Sequence, residues 1–324
     1  MAFRQIQKED HDPELQEFHK AGMFLAGIMQ KTWKVRLFNS VVINMLRLTK
    51  RKGVVTEHAK VKSTHGGPDI PVLIYKPLKA EGPLPIMLYI HGGGYITGSP
   101  EMSPGIEKFI EKRPCIIVAP RYRKALTAPY PAALDDCYDT LLWIKEKGEE
   151  TGGMNDNIMV AGHSAGGGLT AAVTLKNRDH KDINIAFQIP IYPMIDHRSE
   201  TESAKMCMDV PFWNTKANYN GWGSYLKGLN EKNQEIPAYA APALNKDYTN
   251  FPPTISFVGE YDAFRDENIE YIEDLDKAGI PTRFKVFPKA FHGFELLGGK
   301  SKVAVEGRKF LFDAYKEFYD MSYS

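Results

Sequence analysis

Residues 158–168 read IMVAGHSAGGG, an apolar run that leads through a glycine-rich turn into a helical pattern. Residues 162–166 fit G-x-S-x-G, the pattern of a sharp strand-to-helix turn that exposes a serine hydroxyl above a sheet edge. Strand and helix approach so closely there that only small residues fit beside the serine. The stretch predicts a nucleophilic Ser164 at a helix amino end, where the helix dipole favours negative charge. The alternative, a glycine-rich turn with an incidental serine, is disfavoured by the flanking strand and helix.

A second glycine-rich turn, residues 91–94 (HGGG), follows the apolar run Ile86–Ile90. Acyl transfer places negative charge on a carbonyl oxygen, and fixed backbone N–H groups stabilise that charge. Glycines let such donors approach a substrate closely, and the N–H of Ala165, directly after the nucleophile, is the expected further donor. Glycine loops also bind phosphate, but the chain has no G-x-x-x-x-G-K and no dinucleotide-binding fingerprint after its first strand. The order of the two turns favours an oxyanion hole.

Nine histidines compete for the role of general base, and only His180, His197 and His292 follow Ser164 in the chain. Enzymes built on this turn carry their triad in the order serine, acid, histidine. His180 lies in a charged stretch, and His197 precedes an aromatic-rich segment. His292 follows the last predicted strand in a turn-like sequence, where it can reach the serine while a carboxylate holds its other nitrogen. His292 is therefore the predicted base.

Two more histidines adjoin the glycine-rich turns. His163 directly precedes Ser164, but neighbouring side chains on a sharp turn point apart, so geometry disfavours it as the base. His91 is interpreted as a residue that braces its loop through hydrogen bonds.

Four carboxylates lie on the loop after the predicted strand Thr254–Val258: Glu260, Asp262, Asp266 and Glu267. Asp266 and Glu267 begin a helical pattern, where acidic residues suit the dipole and capping. Glu260 is nearest to the strand end. Asp262 is the preferred catalytic acid.

Short apolar runs alternate with helical patterns from Val54 onward, which predicts an α/β fold with a mostly parallel sheet flanked by helices. Most runs lack alternation, as expected for strands that are buried on both faces. The predicted strands are Pro71–Tyr75, Ile86–Ile90, Cys115–Ala119, Ile158–Ala161, Ile183–Ile189, Thr254–Val258 and Arg283–Phe287. The predicted helices are Ile106–Lys112, Ala132–Lys147, Ala165–Lys176, Ile269–Lys277 and Val303–Tyr319.

Two segments depart from this alternation. Residues 1–50 have helical spacing, and residues of about 196–248 are rich in aromatics and methionine, including Phe212 and Trp213. Loops at the carboxyl ends of strands lie over the functional edge of such a sheet. Both segments are therefore interpreted as one helical cap over a catalytic domain of residues 51–324. The alternative is that each segment packs against the core without covering a site.

The composition of the chain limits the classes of partner that it is expected to bind. The 324 residues are 43% hydrophobic and 25% charged with a formal charge of +1, which predicts no nucleic-acid partner and no membrane partner. Three cysteines show no metal-ligand spacing, and a buried Cys115 suits a reducing compartment. The amino terminus carries acidic residues without a long apolar stretch, so a signal peptide is not expected. A cytoplasmic enzyme is the prediction.

Together these motifs resemble the hormone-sensitive-lipase-like esterases of the α/β-hydrolase superfamily. The matching pieces cover roughly residues 70–320 in family order: 91–94 (HGGG), 121–123 (RYR), 130–136 (YPAALDD), 162–167 (GHSAGG), 261–262 (YD), 265–267 (RDE) and 291–294 (FHGF). The resemblance implies the α/β-hydrolase fold with a cap, the acid at Asp262, and no cofactor or metal. It implies main oxyanion donors at Gly93, Gly94 and Ala165, with Gly92 shaping the loop.

The sequence departs from the family pattern at three places. His163 stands where the family usually has Asp, and Ala263-Phe264 stands where it usually has Pro-Leu. Tyr95 replaces a frequent Trp and, with Phe212, is a predicted substrate contact.

The resemblance implies a serine carboxylesterase that hydrolyses small, short-acyl esters through an acyl-enzyme. One alternative is an amidase or deacetylase acting on a small acetylated molecule with the same groups. Another is a non-catalytic small-ligand binder, because some relatives have lost the histidine. A homodimer is compatible with the sequence.

Overall fold

A computed structural model describes residues 3–43, 45, 51–79, 81–103 and 105–323. Eight strands form one sheet in the order β1-β2-β4-β3-β5-β6-β7-β8. The strands are β1 (Val54–Val61), β2 (Ile70–Pro77), β3 (Ile86–Ile90), β4 (Ile116–Pro120), β5 (Ile158–His163), β6 (Ile185–Ile191), β7 (Thr254–Tyr261) and β8 (Thr282–Phe291). Pairing is antiparallel for β1–β2 and β2–β4 and parallel for all other neighbours. The predicted α/β fold with a mostly parallel sheet is confirmed.

Helices flank the sheet and follow most of its strands. They are α1 (His19–Met29), α2 (Thr32–Phe38), α3 (Ile106–Lys112), α4 (Ala132–Lys147), α5 (Ala165–His180), α6 (Glu202–Met206), α7 (Thr215–Tyr225), α8 (Lys227–Glu231), α9 (Arg265–Lys277), α10 (Phe294–Leu297) and α11 (Lys302–Tyr323). A π-helical turn, Asn39–Ile43, continues directly from α2. No helix in the described part of the chain is long and apolar enough to cross a membrane.

The core has two layers because successive side chains of a strand point to opposite faces of the sheet. Leu88 of β3 and Val160 of β5 belong to the apolar layer that α4 and α5 cover. Their neighbours Met87 and Met159 belong to the opposite layer, which α3 and α11 cover. Strands β3, β4 and β5 are buried throughout, which is why they read as unbroken apolar runs.

Strand β1 has no counterpart among the predicted strands. It pairs only with β2 at the edge of the sheet, and six of its eight residues are exposed or half-buried. Neither a buried run nor a regular alternation marks such a strand in the sequence.

The two segments interpreted as a cap contact each other. Helix α1 packs against α7, and the Phe212 N–H donates to the Gly22 carbonyl over 2.9 Å. The N-terminal residues before α1 also reach the core, since Leu15 is fully buried. Residues 44 and 46–50 of the predicted N-terminal cap lie outside the described residues.

Candidate active site

Ser164 lies at the junction of β5 and α5. Its backbone has φ 59° and ψ −121°, a region that non-glycine residues rarely adopt. A reversal from strand to helix within one residue imposes this conformation. The Ser164 N–H donates to the Ile191 carbonyl over 2.9 Å, and the Ser164 carbonyl accepts from the N–H groups of Gly168 and Met194. These bonds fix the serine side chain at the carboxyl edge of the sheet.

The glycines on either side of Ser164 are required by close packing. A Cβ at Gly162 would overlap the Gly166 carbonyl, and one at Gly166 would overlap the Ile90 carbonyl. Both obstacles are backbone atoms, which cannot move away as a flexible side chain does. The steric argument made from the sequence for this turn therefore applies at both positions.

His292 and Asp262 lie beside Ser164 although the chain separates them widely. His292 Nε2 is 2.9 Å from Ser164 Oγ, and His292 Nδ1 is 2.7 Å from Asp262 Oδ2. All three side chains are buried. Strands β5, β7 and β8 are parallel, so the loops that carry these residues meet at one edge of the sheet. The arrangement suits proton transfer from the serine to a histidine that a carboxylate orients.

Aromatic rings hold the His292 ring in place. Tyr192 and Phe264 both meet it edge to face, with centroid distances of 4.7 and 5.2 Å. Phe264 is one of the departures from the family pattern, and its N–H also donates to Asp262 Oδ1 over 2.9 Å. Phe264 therefore orients both the acid and the histidine.

The three competing carboxylates have other partners. Glu260 accepts from the Lys289 N–H over 2.8 Å, and Asp266 accepts from the Ser203 N–H over 2.7 Å. Glu267 accepts from the N–H groups of Ile195 and Asp196. Asp266 and Glu267 lie in the first turn of α9, as predicted, and they also bind the segment that follows β6. Only Asp262 of the four reaches His292.

The HGGG loop runs alongside Ser164. A Cβ at Gly92 would lie 3.4 Å from the Ser164 Cβ, and Gly92 and Gly93 line the cavity above the serine. Within the described ranges, no group accepts a hydrogen bond from the N–H of Gly93, Gly94 or Ala165. The Ala165 N–H begins α5, and the first N–H groups of a helix have no partner within it. These three N–H groups therefore have no acceptor within the described fold, and Gly93 is the one of the three residues that lines the cavity.

His91 braces this loop, as the sequence predicted for it. Its Nδ1 is 2.7 Å from the Gly92 carbonyl oxygen, and its Nε2 is 3.1 Å from Lys124 Nζ. The ring stacks on Tyr122 at a centroid distance of 4.2 Å. Burial, together with the Lys124 charge, lowers the His91 pKa well below its usual value. A neutral His91 therefore keeps the glycine loop in register with the serine.

Tyr95 does not lie where the prediction placed it. It has φ 64°, is 1% exposed, and stacks on Tyr225 with centroids 4.1 Å apart. Its hydroxyl donates to the Met194 carbonyl over 2.8 Å. The positive φ turns the side chain beneath the glycine loop, so Tyr95 supports the loop and does not line the cavity above Ser164.

The cavity above Ser164 has a volume of about 290 Å³. Helices α1 and α2 contribute to its wall, as does the segment before α7 that contains Phe212. Most of the lining groups are apolar, so the cavity suits a small apolar substrate. The apolar side chains that line it include Leu25, Met29, Phe38, Met102, Phe212, Trp213, Leu296 and Leu297. Phe212 therefore lies where a substrate contact was predicted.

A buried polar cluster in the wall of this cavity was not identified from the sequence. The Tyr89 hydroxyl is 2.7 Å from His163 Nδ1, and His163 Nε2 is 3.7 Å from Glu295 Oε1. The Tyr192 hydroxyl donates to the same Glu295 oxygen over 2.5 Å. Burial, with a smaller effect of the His292 charge, lowers the His163 pKa to about 3, so His163 is neutral at pH 7. These residues come from four separate elements, and no spacing in the sequence connects them.

Glu295 is an unusual member of this cluster. Burial raises the pKa of its carboxyl to about 7, although the Tyr192 hydroxyl opposes that shift. Its Oε2 is buried without a hydrogen-bond partner among the described residues. A protonated carboxyl fits such surroundings better than a carboxylate does.

This burial predicts a pH-dependent effect of Glu295→Gln. The native protein retains the proton up to pH of about 7, whereas an unfolded glutamate loses it near 4.3. The wild-type free energy of unfolding therefore falls as the pH rises between these values. Between pH 4.5 and 8, the free energy of unfolding of the variant should therefore rise by about 3 kcal/mol relative to that of the wild type. Denaturant unfolding measures the difference.

A matched control for this experiment lies on the neighbouring helix α11. Glu306 is exposed there, so Glu306→Gln should change stability equally at both pH values. A Glu295→Gln difference that is constant with pH would show that the carboxyl is ionised throughout.

Groups that could bind a metal or react as thiols are not part of this site. The described residues contain no cluster of three or more His, Cys, Asp or Glu side chains suited to a metal ion. Cys115, Cys137 and Cys207 are all buried and unpaired with one another. Burial raises the pKa of the Cys115 thiol to about 12, so it is unreactive at neutral pH.

Comparison with known proteins places this geometry in a family. A family model described as alpha/beta hydrolase fold matches residues 87–296, which is well over half of the chain. The chain belongs to the α/β-hydrolase family. The matched range contains Ser164, Asp262 and His292. The resemblance to hormone-sensitive-lipase-like members is confirmed.

Several relatives of this α/β-hydrolase are named as esterases. The carboxylesterase NlhH of Mycobacterium tuberculosis is 32% identical over 232 residues, which is 70% of this chain and 71% of the relative. The arylesterase of Saccharolobus solfataricus is 28% identical over 84% of this chain and 88% of its own. A solved structure of a bacterial heroin esterase superposes with a TM-score of 0.86 at 29% identity, covering 96% and 98% of the two chains. These relatives support the enzyme class predicted from the sequence, a carboxylic ester hydrolase.

Proposed function

We propose that this chain is a serine carboxylesterase that cleaves small, short-acyl esters through an acyl-enzyme. The observation that carries the proposal is the continuous path from Ser164 Oγ through His292 to Asp262, with distances of 2.9 and 2.7 Å. A non-catalytic binder needs no such path. The test is hydrolysis of nitrophenyl acetate by the purified chain, with an initial burst of nitrophenol when acylation outpaces deacylation.

In the acylation step, Ser164 Oγ attacks the ester carbonyl carbon while His292 Nε2 accepts the hydroxyl proton. Asp262 stabilises the imidazolium that forms. The carbonyl oxygen becomes an oxyanion that accepts hydrogen bonds from the N–H groups of Gly93, Gly94 and Ala165. Collapse of this intermediate breaks the ester C–O bond, and His292 gives its proton to the departing alkoxide. The products are an alcohol and acyl-Ser164.

In the deacylation step, His292 takes a proton from a water molecule that attacks the acyl carbon. The second oxyanion occupies the same N–H donors. When it collapses, the proton returns through His292 to Ser164 Oγ, and the carboxylic acid leaves. The chain then has its starting protonation state, so no cofactor is consumed.

The cavity predicts a limit on acyl length. Each methylene buried against its apolar walls contributes about 0.8 kcal/mol, or about fourfold in kcat/KM. The gain should continue over the first few carbons and then reverse once the 290 Å³ cavity is filled. The measurement is kcat/KM for nitrophenyl esters from acetate to palmitate. An enzyme that works best on palmitate would contradict the limit.

Helix α1 offers a matched pair of variants for the same series. Leu25 lines the cavity, whereas the neighbouring Phe24 is 72% exposed. Leu25→Ala should move the preferred ester to longer chains, while Phe24→Ala should leave the preference unchanged. If neither variant alters the profile, α1 does not form part of the substrate-binding wall.

An amidase or deacetylase would use the same catalytic groups, so the choice of substrate distinguishes it from an esterase. We expect nitrophenyl acetate to be cleaved far faster than nitroacetanilide, because an amide needs protonation of a much poorer leaving group. Comparable kcat/KM values for the two would favour the amidase.

A further inference from the structure

The surface of the N-terminal helical segment carries a row of exposed apolar side chains. Trp33, Leu37, Val41 and Met45 are 64%, 59%, 50% and 67% exposed. Trp33 and Leu37 of α2 and Val41 of the π-helical turn are spaced four residues apart, so these three share one face, and Met45 follows shortly after the turn ends. Val35 and Ile43, on the opposite face, are buried. We call these four exposed side chains the apolar row.

The apolar row is not a scatter of ordinary surface residues. Thirteen large hydrophobic side chains are exposed across the described residues, and five of them lie between Phe24 and Met45. Apolar side chains scattered singly over a surface need no explanation, but a contiguous apolar face marks an interaction site. Leu25, Met29 and Phe38 of the same segment line the cavity above Ser164, so contact with the cavity accounts for only part of its apolar side chains.

The charged residues of this N-terminal segment are all basic. Residues 18–56 contain eight Lys or Arg and no Asp or Glu, although the whole chain has a formal charge of only +1. Lys20, Lys31 and Arg36 are exposed, and Lys34 lies 5.7 Å from the Trp33 ring centroid. Two acidic residues that contact Arg51 of this segment, Glu107 and Glu101, are paired with Arg51 and Arg121. Among the described residues, Lys20, Lys31, Lys34 and Arg36 take part in no salt bridge.

We propose that α2 and the π-helical turn form a docking face for an anionic lipid surface. Exposed aromatic and aliphatic side chains that insert among lipids, combined with flanking Lys and Arg, are the two contributions that hold peripheral proteins on such membranes. A second copy of this chain is a poorer occupant, because a two-fold contact would set the same cations against each other. No membrane partner was predicted from the net charge of +1. That charge is a sum over the whole chain and does not reveal the concentration of basic residues in this segment.

The docking face adjoins the substrate cavity. Phe38, next to Leu37 in the chain, lines the cavity, as do Leu25 and Met29 of α1. A chain held by the apolar row would present this wall to the lipid, where apolar esters concentrate. The docking proposal does not rest on the proposed esterase activity, since it is tested by binding alone.

The test is co-sedimentation of the full chain with phosphatidylcholine vesicles that contain or lack phosphatidylglycerol. Binding should require phosphatidylglycerol and weaken at least tenfold as salt rises from about 0.1 to about 1 M, because the screening length falls from about 10 to about 3 Å. Lys31→Glu/Lys34→Glu should weaken it at least about 30-fold, at about 1 kcal/mol for each cation. Trp33→Ser/Leu37→Ser should weaken it at least about tenfold.

Two control variants match these changes in charge and exposure. Lys232→Glu/Lys246→Glu alters the same number of exposed cations elsewhere, and Leu78→Ser/Met321→Ser removes side chains that are 67% and 72% exposed. Both controls should bind vesicles as the wild type does. Thermal unfolding of every variant within a few degrees of wild type shows that folding is retained.

Three outcomes would overturn the proposal. The first is equal binding with and without phosphatidylglycerol, and the second is an equal loss of binding in the control variants. The third is that the chain binds no vesicles and instead forms a dimer in sedimentation velocity, which Trp33→Ser/Leu37→Ser converts to a monomer. The last result would assign the face to a second copy of this chain.

Discussion

Ser164→Ala should lower kcat for nitrophenyl acetate by about 10⁵- to 10⁶-fold while the protein stays folded. The hydroxyl supplies the attacking oxygen, and its removal leaves only catalysis by the oxyanion donors and by binding. The change deletes one oxygen from a side chain that is 6% exposed, and the backbone bonds of the turn remain. Initial-rate assays and thermal unfolding of the same preparation measure the two effects.

The residual rate of this variant carries information of its own. It should remain above the uncatalysed rate, because the donors at Gly93, Gly94 and Ala165 still stabilise an oxyanion attacked by water. Substantial turnover by Ser164→Ala, in a preparation free of wild-type protein, would show that another group is the nucleophile.

Asp262→Asn should lower kcat by about 10⁴-fold. Asparagine keeps the shape of the side chain, but it cannot stabilise the imidazolium and it favours the wrong tautomer of His292. Because Asp262 is fully buried, bulk water cannot replace the lost charge. The measurement is kcat over a pH series, since a change of tautomer persists at every pH.

The neighbouring carboxylates supply matched controls. Glu260→Gln and Asp266→Asn keep an oxygen that can accept from the N–H groups of Lys289 and Ser203, so both should retain substantial activity. If Glu260→Gln were the inactive variant and Asp262→Asn the active one, the acid would be misassigned.

The sequence predicted that Ser164, His292 and Asp262 lie close together, because each follows a recognisable strand and parallel strands bring their carboxyl ends to one edge. The bounds of α3 and α4 were also predicted correctly, because both segments carry apolar residues at helical spacing. Local patterns suffice where a residue's role depends on its position along a strand or helix.

Other features depend on contacts that local patterns do not encode. The direction of the Tyr95 side chain follows from a positive φ, and the pairing of His163 with Glu295 joins residues 132 positions apart. Strand β1 is stabilised by pairing with β2 and not by its own apolar face. The exposure of Trp33 and Leu37 could be seen only once one face of α2 was known to be buried.

Labelling with a fluorophosphonate tests the central claim most directly, because the reagent captures only a serine whose hydroxyl is activated next to a base. Intact mass should rise by one phosphonyl group, and peptide mapping should place it on Ser164. His292→Ala should label at least 100-fold more slowly, since general-base assistance contributes about 10²- to 10⁴-fold. The account would be contradicted if the wild-type chain took up no label, or if Ser164→Ala took up as much label as the wild type.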